Sequence, residues 1–125
     1  VTKLTLCKFG LYFLHNESTN QVLTDQNVAQ NGLDGPLPAE IGLLTELAEL
    51  NLAQNDINGR IPRLQTCAKL ETVDLGSNDF EGDSSSFEQL ERLRSLDVSN
   101  NELWGSLEFM NSLPSLGKSR SKLFM

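Results

Sequence analysis

The sequence predicts a parallel α/β solenoid, built on a repeat of 23 or 24 residues in which apolar positions and asparagines recur in register. Three observations carry that prediction. Asn31, Asn55, Asn78 and Asn101 follow one another at intervals of 24, 23 and 23 residues. Apolar residues in the pattern LxxLxL precede the regular ones, as in Leu47-Ala-Glu-Leu50-Asn-Leu52. An apolar residue and a glycine then follow at fixed distances, as Ile57 and Gly59 follow Asn55. Self-similarity at a period of roughly 20–50 residues marks a repeat architecture, in which no single repeat can bury its own apolar face.

In chain order, residues 1–6 (VTKLTL) carry the strand pattern, with Val1, Leu4 and Leu6 in the places of Leu47, Leu50 and Leu52. The pattern fails at Phe9, where an asparagine belongs. Two readings of Cys7 to Val28 compete. One is a degenerate repeat followed by the strand at 23–28, with Gln26 at a normally apolar place. The other is an insertion, because joining Leu6 to Ala29 gives VTKLTLAQNGLDGPLP, a close copy of LAELNLAQNDINGRIP. The length of the stretch, 22 residues, is close to one repeat and does not separate them. Long structureless loops are uncommon in compact domains, and Phe9, Tyr12 and Phe13 call for burial, which favours the degenerate repeat. Residues 1–125 then read as one domain: 1–22 a degenerate first repeat or insertion, 23–112 regular repeats, and 113–125 a truncated repeat and irregular tail, with Ser119 and Ser121 where apolar residues belong.

From Ala29 onward each position has a physical task. Alternate residues of LxxLxL point inward from a short strand, in the columns Leu23, Leu47, Leu70, Leu93; Gln26, Leu50, Val73, Leu96; and Val28, Leu52, Leu75, Val98. A carboxamide donates and accepts hydrogen bonds, so the asparagines form a structural ladder that satisfies buried backbone groups where the chain turns. Leu33, Ile57, Phe80 and Leu103 re-enter the core, and Gly35, Gly59, Gly82 and Gly105 permit the bend after them. Apolar residues three apart, in the columns Ile41, Leu64, Phe87, Met110 and Leu44, Cys67, Leu90, Leu113, give short 3-10 or α turns. Cys67 reads as a buried apolar thiol. Asp83-Ser-Ser-Ser86 replaces the Ile-Pro of the preceding repeat and predicts a looser, more polar edge.

At LAELNLAQNDINGRIP the sequence resembles the leucine-rich-repeat family, in its plant-type subclass with the pattern LxxLxLxxNxLxGxIP. The resemblance covers roughly residues 23–116. It implies a right-handed solenoid with the parallel β-sheet on a concave face and short 3-10 or α turns on a convex one. It further implies that the concave face binds a protein or peptide, and that the chain is part of a receptor-like ectodomain, extracellular or membrane-anchored.

Composition narrows the alternatives. A formal charge of −7, from 17 acidic and 10 basic residues, argues against nucleic acid as partner. No apolar run approaches the ~20 residues that span a bilayer, so no membrane contact by this segment is expected. The chain begins at Val1 without a signal-peptide pattern and reads as a piece of something larger. Cys7 and Cys67 form neither a disulfide framework nor a metal site, and the redox compartment stays open.

The outward strand positions are the candidate partner-binding residues: Asp25, Asn27, Glu49, Asn51, Glu71, Thr72, Asp74, Arg94 and Asp97. Five carboxylates against Arg94 make an acidic, amide-rich face that suits a basic peptide or protein. Trp104 stands at a normally polar bend position, where it either anchors a partner or, the favoured reading, packs over the neighbouring coil. Asn16-Glu-Ser18 is an N-glycosylation acceptor for a secreted chain. His15 is the only histidine, no nucleophile motif surrounds it, and the glycines follow the structural period; catalytic, cofactor and metal sites are therefore not expected. Two other readings stay open: a regulatory or scaffold segment of a larger intracellular enzyme, and a truncated gene product with no role of its own.

Overall fold

Repetition in the sequence becomes two parallel ladders in space. The computed structural model describes residues 32–105 and 113, and the backbone of the strands at 3–7, 10–14, 25–27 and 123–124. Among the described residues, eleven strands follow in chain order: β1 Lys3–Cys7, β2 Gly10–Leu14, β3 Asp25–Asn27, β4 Asp34–Pro36, β5 Glu49–Asn51, β6 Asp56–Arg60, β7 Thr72–Asp74, β8 Asp79–Asp83, β9 Ser95–Asp97, β10 Glu102–Trp104 and β11 Leu123–Phe124. Short 3-10 helices at Ala39–Leu43 and Ser85–Phe87 occupy the far side of the coils. This is the α/β leucine-rich-repeat solenoid.

The LxxLxL runs form the first ladder, in the order β11-β9-β7-β5-β3, with every pair parallel. Its register follows the sequence repeat: Glu49 pairs with Thr72, and Thr72 with Ser95. Leu47, Leu50, Leu52, Leu70, Leu75 and Leu93 are fully buried between this sheet and the 3-10 side, together with Ile41, Leu64, Cys67, Phe87 and Leu90. Burying one such side chain contributes about 1.5–3 kcal/mol, so a coil is held chiefly by its neighbours' leucines.

The segment after each asparagine forms a second, lateral ladder, β10-β8-β6-β4, also parallel. Its register is displaced from the sequence repeat. Asn58 pairs with Asp79 and Glu102 with Glu81, each 21 residues apart, where the repeat interval is 23. A two-residue displacement preserves side-chain parity, so Ile57 and Phe80 remain inside while Asp56, Asn58, Arg60, Asp79, Glu81 and Asp83 remain outside. Gly59 and Gly82 bend these strands at φ +78 and +95, angles that a residue with a Cβ adopts only under strain.

Four expectations are revised. β1 pairs antiparallel with β2, in register Cys7 to Gly10, and this hairpin is a sheet of its own. VTKLTL has the apolar spacing of a coil strand, but no asparagine at position 9 holds a turn into the next coil. Two residues between the paired ends suit a hairpin instead. Residues 25–27 do join the concave ladder. At the other end, the tail is not irregular throughout: Leu123 pairs with Leu96, 27 residues away. The serine-rich edge is polar without being loose. Ser84 and Ser86 are buried, and the Ser86 hydroxyl donates to the Ile61 carbonyl at 2.7 Å. Finally, Trp104 is 59 % exposed, so the neighbouring coil covers less than half of it.

Candidate partner-binding face

Outward side chains of β5, β7 and β9 stand in rows, because parallel strands in repeat register place equivalent residues side by side. One row runs Asp25, Glu49, Thr72, Ser95, and the next Asn27, Asn51, Asp74, Asp97. Glu49, Thr72 and Arg94 are exposed; Asn51, Glu71, Asp74 and Asp97 are half-buried. For Asp25 and Asn27 only the strand backbone is described, and Asn16, Asn31 and His15 lie outside the described residues. The structure thus brings together Glu49, Asn51, Glu71, Thr72, Asp74, Arg94 and Asp97 on one face.

The second row has a duty that the sequence reading missed. Asn51 Oδ1 accepts a hydrogen bond from the Ala53 N–H at 3.1 Å, and Asp74 Oδ1 one from the Gly76 N–H at 3.0 Å. Asp97 Oδ1 accepts from both the Ser99 N–H, at 2.9 Å, and the Ser99 hydroxyl, at 2.6 Å. Each is an Asx turn, the local bond by which Asn and Asp close a chain reversal. The turn leads into Gln54, Ser77 and Asn100, all left-handed at φ 57, 57 and 54. The sequence signal was present, as Asn or Asp two residues before alanine, glycine or serine in three successive repeats. These groups are therefore fixed before any partner arrives, which lowers the ordering cost of binding.

Gly76 sets the spacing within the row. A Cβ there would lie 3.2 Å from Asp74 Oδ1 and from Asp97 Oδ1, and 3.4 Å from Ser99 Oγ. Two carboxylates thus flank one glycine. Beside them, Arg94 Nη1 reaches Glu71 Oε2 at 3.9 Å; with both side chains well exposed, the pair is weak and open to exchange.

Behind the face, the ladder asparagines hold the coils. Asn55 Oδ1 accepts from Leu33 N–H at 3.0 Å, Asn78 Oδ1 from Ile57 N–H at 3.1 Å, and Asn101 Oδ1 from Phe80 N–H at 3.0 Å. The Asn78 amide donates to Leu75 and Gly76 carbonyls of its own coil and to Leu52 of the preceding one, at 2.9–3.3 Å. Among the described residues, no group of three or more His, Cys, Asp or Glu is placed to hold a metal, and no helix is long and apolar enough to cross a membrane.

Residues 92–116 match the family model described as Leucine Rich Repeat. Among solved structures, the chain is similar to the LRR ectodomain of the receptor kinase SOBIR1 from Arabidopsis thaliana, at 33% identity and a TM-score of 0.64. That likeness covers 80% of this chain and 57% of the SOBIR1 chain. The structure of PEPR1-AtPEP1 is similar at 24% identity and a TM-score of 0.64, over 86% of this chain and 18% of the other, and shows the fold alone. The chain thus spans little more than half of one of these chains and under a fifth of the other. No curated protein matches it.

Proposed function

From a chain that is a plant-type leucine-rich-repeat solenoid, resembling receptor ectodomains and built as a protein-interaction scaffold, we propose that the concave face binds a basic segment of a protein or peptide without catalysing a reaction. The observation that carries this reading is the row Asn51, Asp74, Asp97, whose acceptor groups are held by their own turns on either side of Gly76. A lysine or arginine side chain entering between Asp74 and Asp97 gains two charge-assisted hydrogen bonds without reordering the receptor. Glu49 and Glu71 extend the acidic field beside it, and charge complementarity steers a cationic partner to the face. In this reading the chain is part of a receptor-like ectodomain and Asn16 is a glycosylation acceptor; the complete coding sequence then carries a signal peptide upstream and a membrane-spanning segment downstream.

The test removes charge while keeping the turns. Asn51 occupies the same row as Asp74 and makes the same bond, so Asp74→Asn and Asp97→Asn preserve the acceptor oxygen. Octalysine titrated into the isotope-labelled chain should shift the amide resonances of Gly76 and Ser99 saturably. The Asp74→Asn, Asp97→Asn double variant, with unchanged circular dichroism, should abolish those shifts. Shifts that persist in the double variant, or that never appear in the parent, reject the concave-face reading.

A further inference from the structure

The lateral sheet carries a second surface that the repeat pattern does not announce. Its outward side chains are Asp34 and Pro36 on β4, Asp56, Asn58 and Arg60 on β6, Asp79, Glu81 and Asp83 on β8, and Glu102 and Trp104 on β10; all are exposed. Six carboxylates thus face solvent beside one arginine. The displaced register sets like charges side by side, Asp34 against Asp56 and Glu81 against Glu102. Like charges on neighbouring strands destabilise a sheet. The ion pairs among the described residues, Lys69 with Glu46 and Arg94 with Glu71, lie elsewhere. The same displacement brings Trp104 beside Asp83, although Trp104 is the repeat equivalent of Glu81. Trp104 is 59 % exposed, on the end strand of the described lateral sheet. Asp83 is held in place: its Oδ1 accepts from the Ser85 hydroxyl at 2.5 Å and from the Ser85 N–H at 3.0 Å. Those two bonds, with Arg60 nearby, keep its carboxyl below the usual carboxylate range.

We infer that this lateral face is a second docking surface, and that its occupant is a lysine- or arginine-rich segment of a partner protein, seated along Glu81, Asp83 and Glu102 with one cation over the Trp104 ring. Charge complementarity and an exposed aromatic together select that occupant. Tryptophan is the ring that holds a cation best, and the residue type most enriched where binding energy concentrates. A second copy of the chain would bring acid against acid, and anionic lipid or nucleic acid is repelled for the same reason. This surface is separate from the concave row, so each stands or falls alone.

The molecule contains its own reporter, because Trp104 is its only tryptophan. Octalysine added to the intact chain should quench or blue-shift the tryptophan emission saturably, with a midpoint that rises with salt. The triple variant Glu81→Gln, Asp83→Asn, Glu102→Gln should raise that midpoint about tenfold. A control of equal charge change away from both faces, Glu40→Gln, Glu88→Gln, Glu91→Gln, should move it less than twofold. Circular dichroism checks that both variants fold, and octalysine titrated into the control keeps the test readable if the lateral triple does not. An emission that octalysine does not change overturns the proposal. So do equal shifts in the two triples, which would mark a diffuse negative field and not a site.

Discussion

Asn55, Asn78 and Asn101 each meet several backbone groups, and for Asn78 all of them are buried; this multiplicity sets the value of the asparagine. Asn78 serves the Ile57 N–H with its oxygen and three carbonyls, from two coils, with its amide. Asn78→Ala leaves a buried N–H unpaired, and chemical denaturation should show a loss of about 1–3 kcal/mol. A neutral result would mean that these groups find other partners. Cys67 makes a different prediction. It is fully buried, its thiol donates to the Ile41 carbonyl, and burial pushes it above the usual thiol range while the Thr66 hydrogen bond pulls it down. A raised folded-state pKa means that stability is whole below the ordinary thiol pKa, near 8.5, and declines as pH rises above it toward the folded value. In a Cys7→Ser background, unfolding free energy should fall above about pH 8.5, and Cys67→Val should lack that component. Identical profiles would remove the thiol as the cause.

At the scale of elements, apolar spacing announces the strands and turns of the core, because burial demands leucine there and little else. β5, β7 and β9, with the columns from Ile41 and Leu44, were legible for that reason. The lateral ladder was not, since its strands consist largely of acidic residues, asparagine and glycine, and its 21-residue pairing is absent from a 23-residue repeat. β1 misled because a hairpin strand and a coil strand share one alternation; only the missing asparagine separated them. Of the candidate site, the residue types could be read, but not their double duty: an aspartate that binds its own turn looks no different in sequence from one that awaits a partner. The lateral bend has its own test. Gly59→Ala meets only Pro36 Cβ at 3.6 Å, so its cost is the left-handed backbone, about 1–2 kcal/mol. Gly82→Ala adds contact with Arg60 Cγ at 3.2 Å and should lower the thermal midpoint further. The reverse order would mean that the backbone angle does not govern the bend.

For the molecule as a whole, the coils are joined to their neighbours by two ladders and the asparagine row, with contacts chiefly between adjacent coils. In such a stack, stability sums over nearest-neighbour interfaces. The direction of those bonds has a mechanical consequence. Interstrand hydrogen bonds run from coil to coil, so a load applied between residues near 32 and 105 opens each ladder from its end, one bond after another, instead of shearing all of them together. Pulled in a single-molecule experiment, the array should yield at low force and in steps. One released coil of 23 residues, the interval set by the concave register, lengthens the chain by roughly 80 Å when drawn out. A single abrupt rupture of the whole array would mean that the coils share load in parallel. Peeling in steps would make this solenoid an extensible strap, able to give way coil by coil under tension while the coils still stacked keep their register.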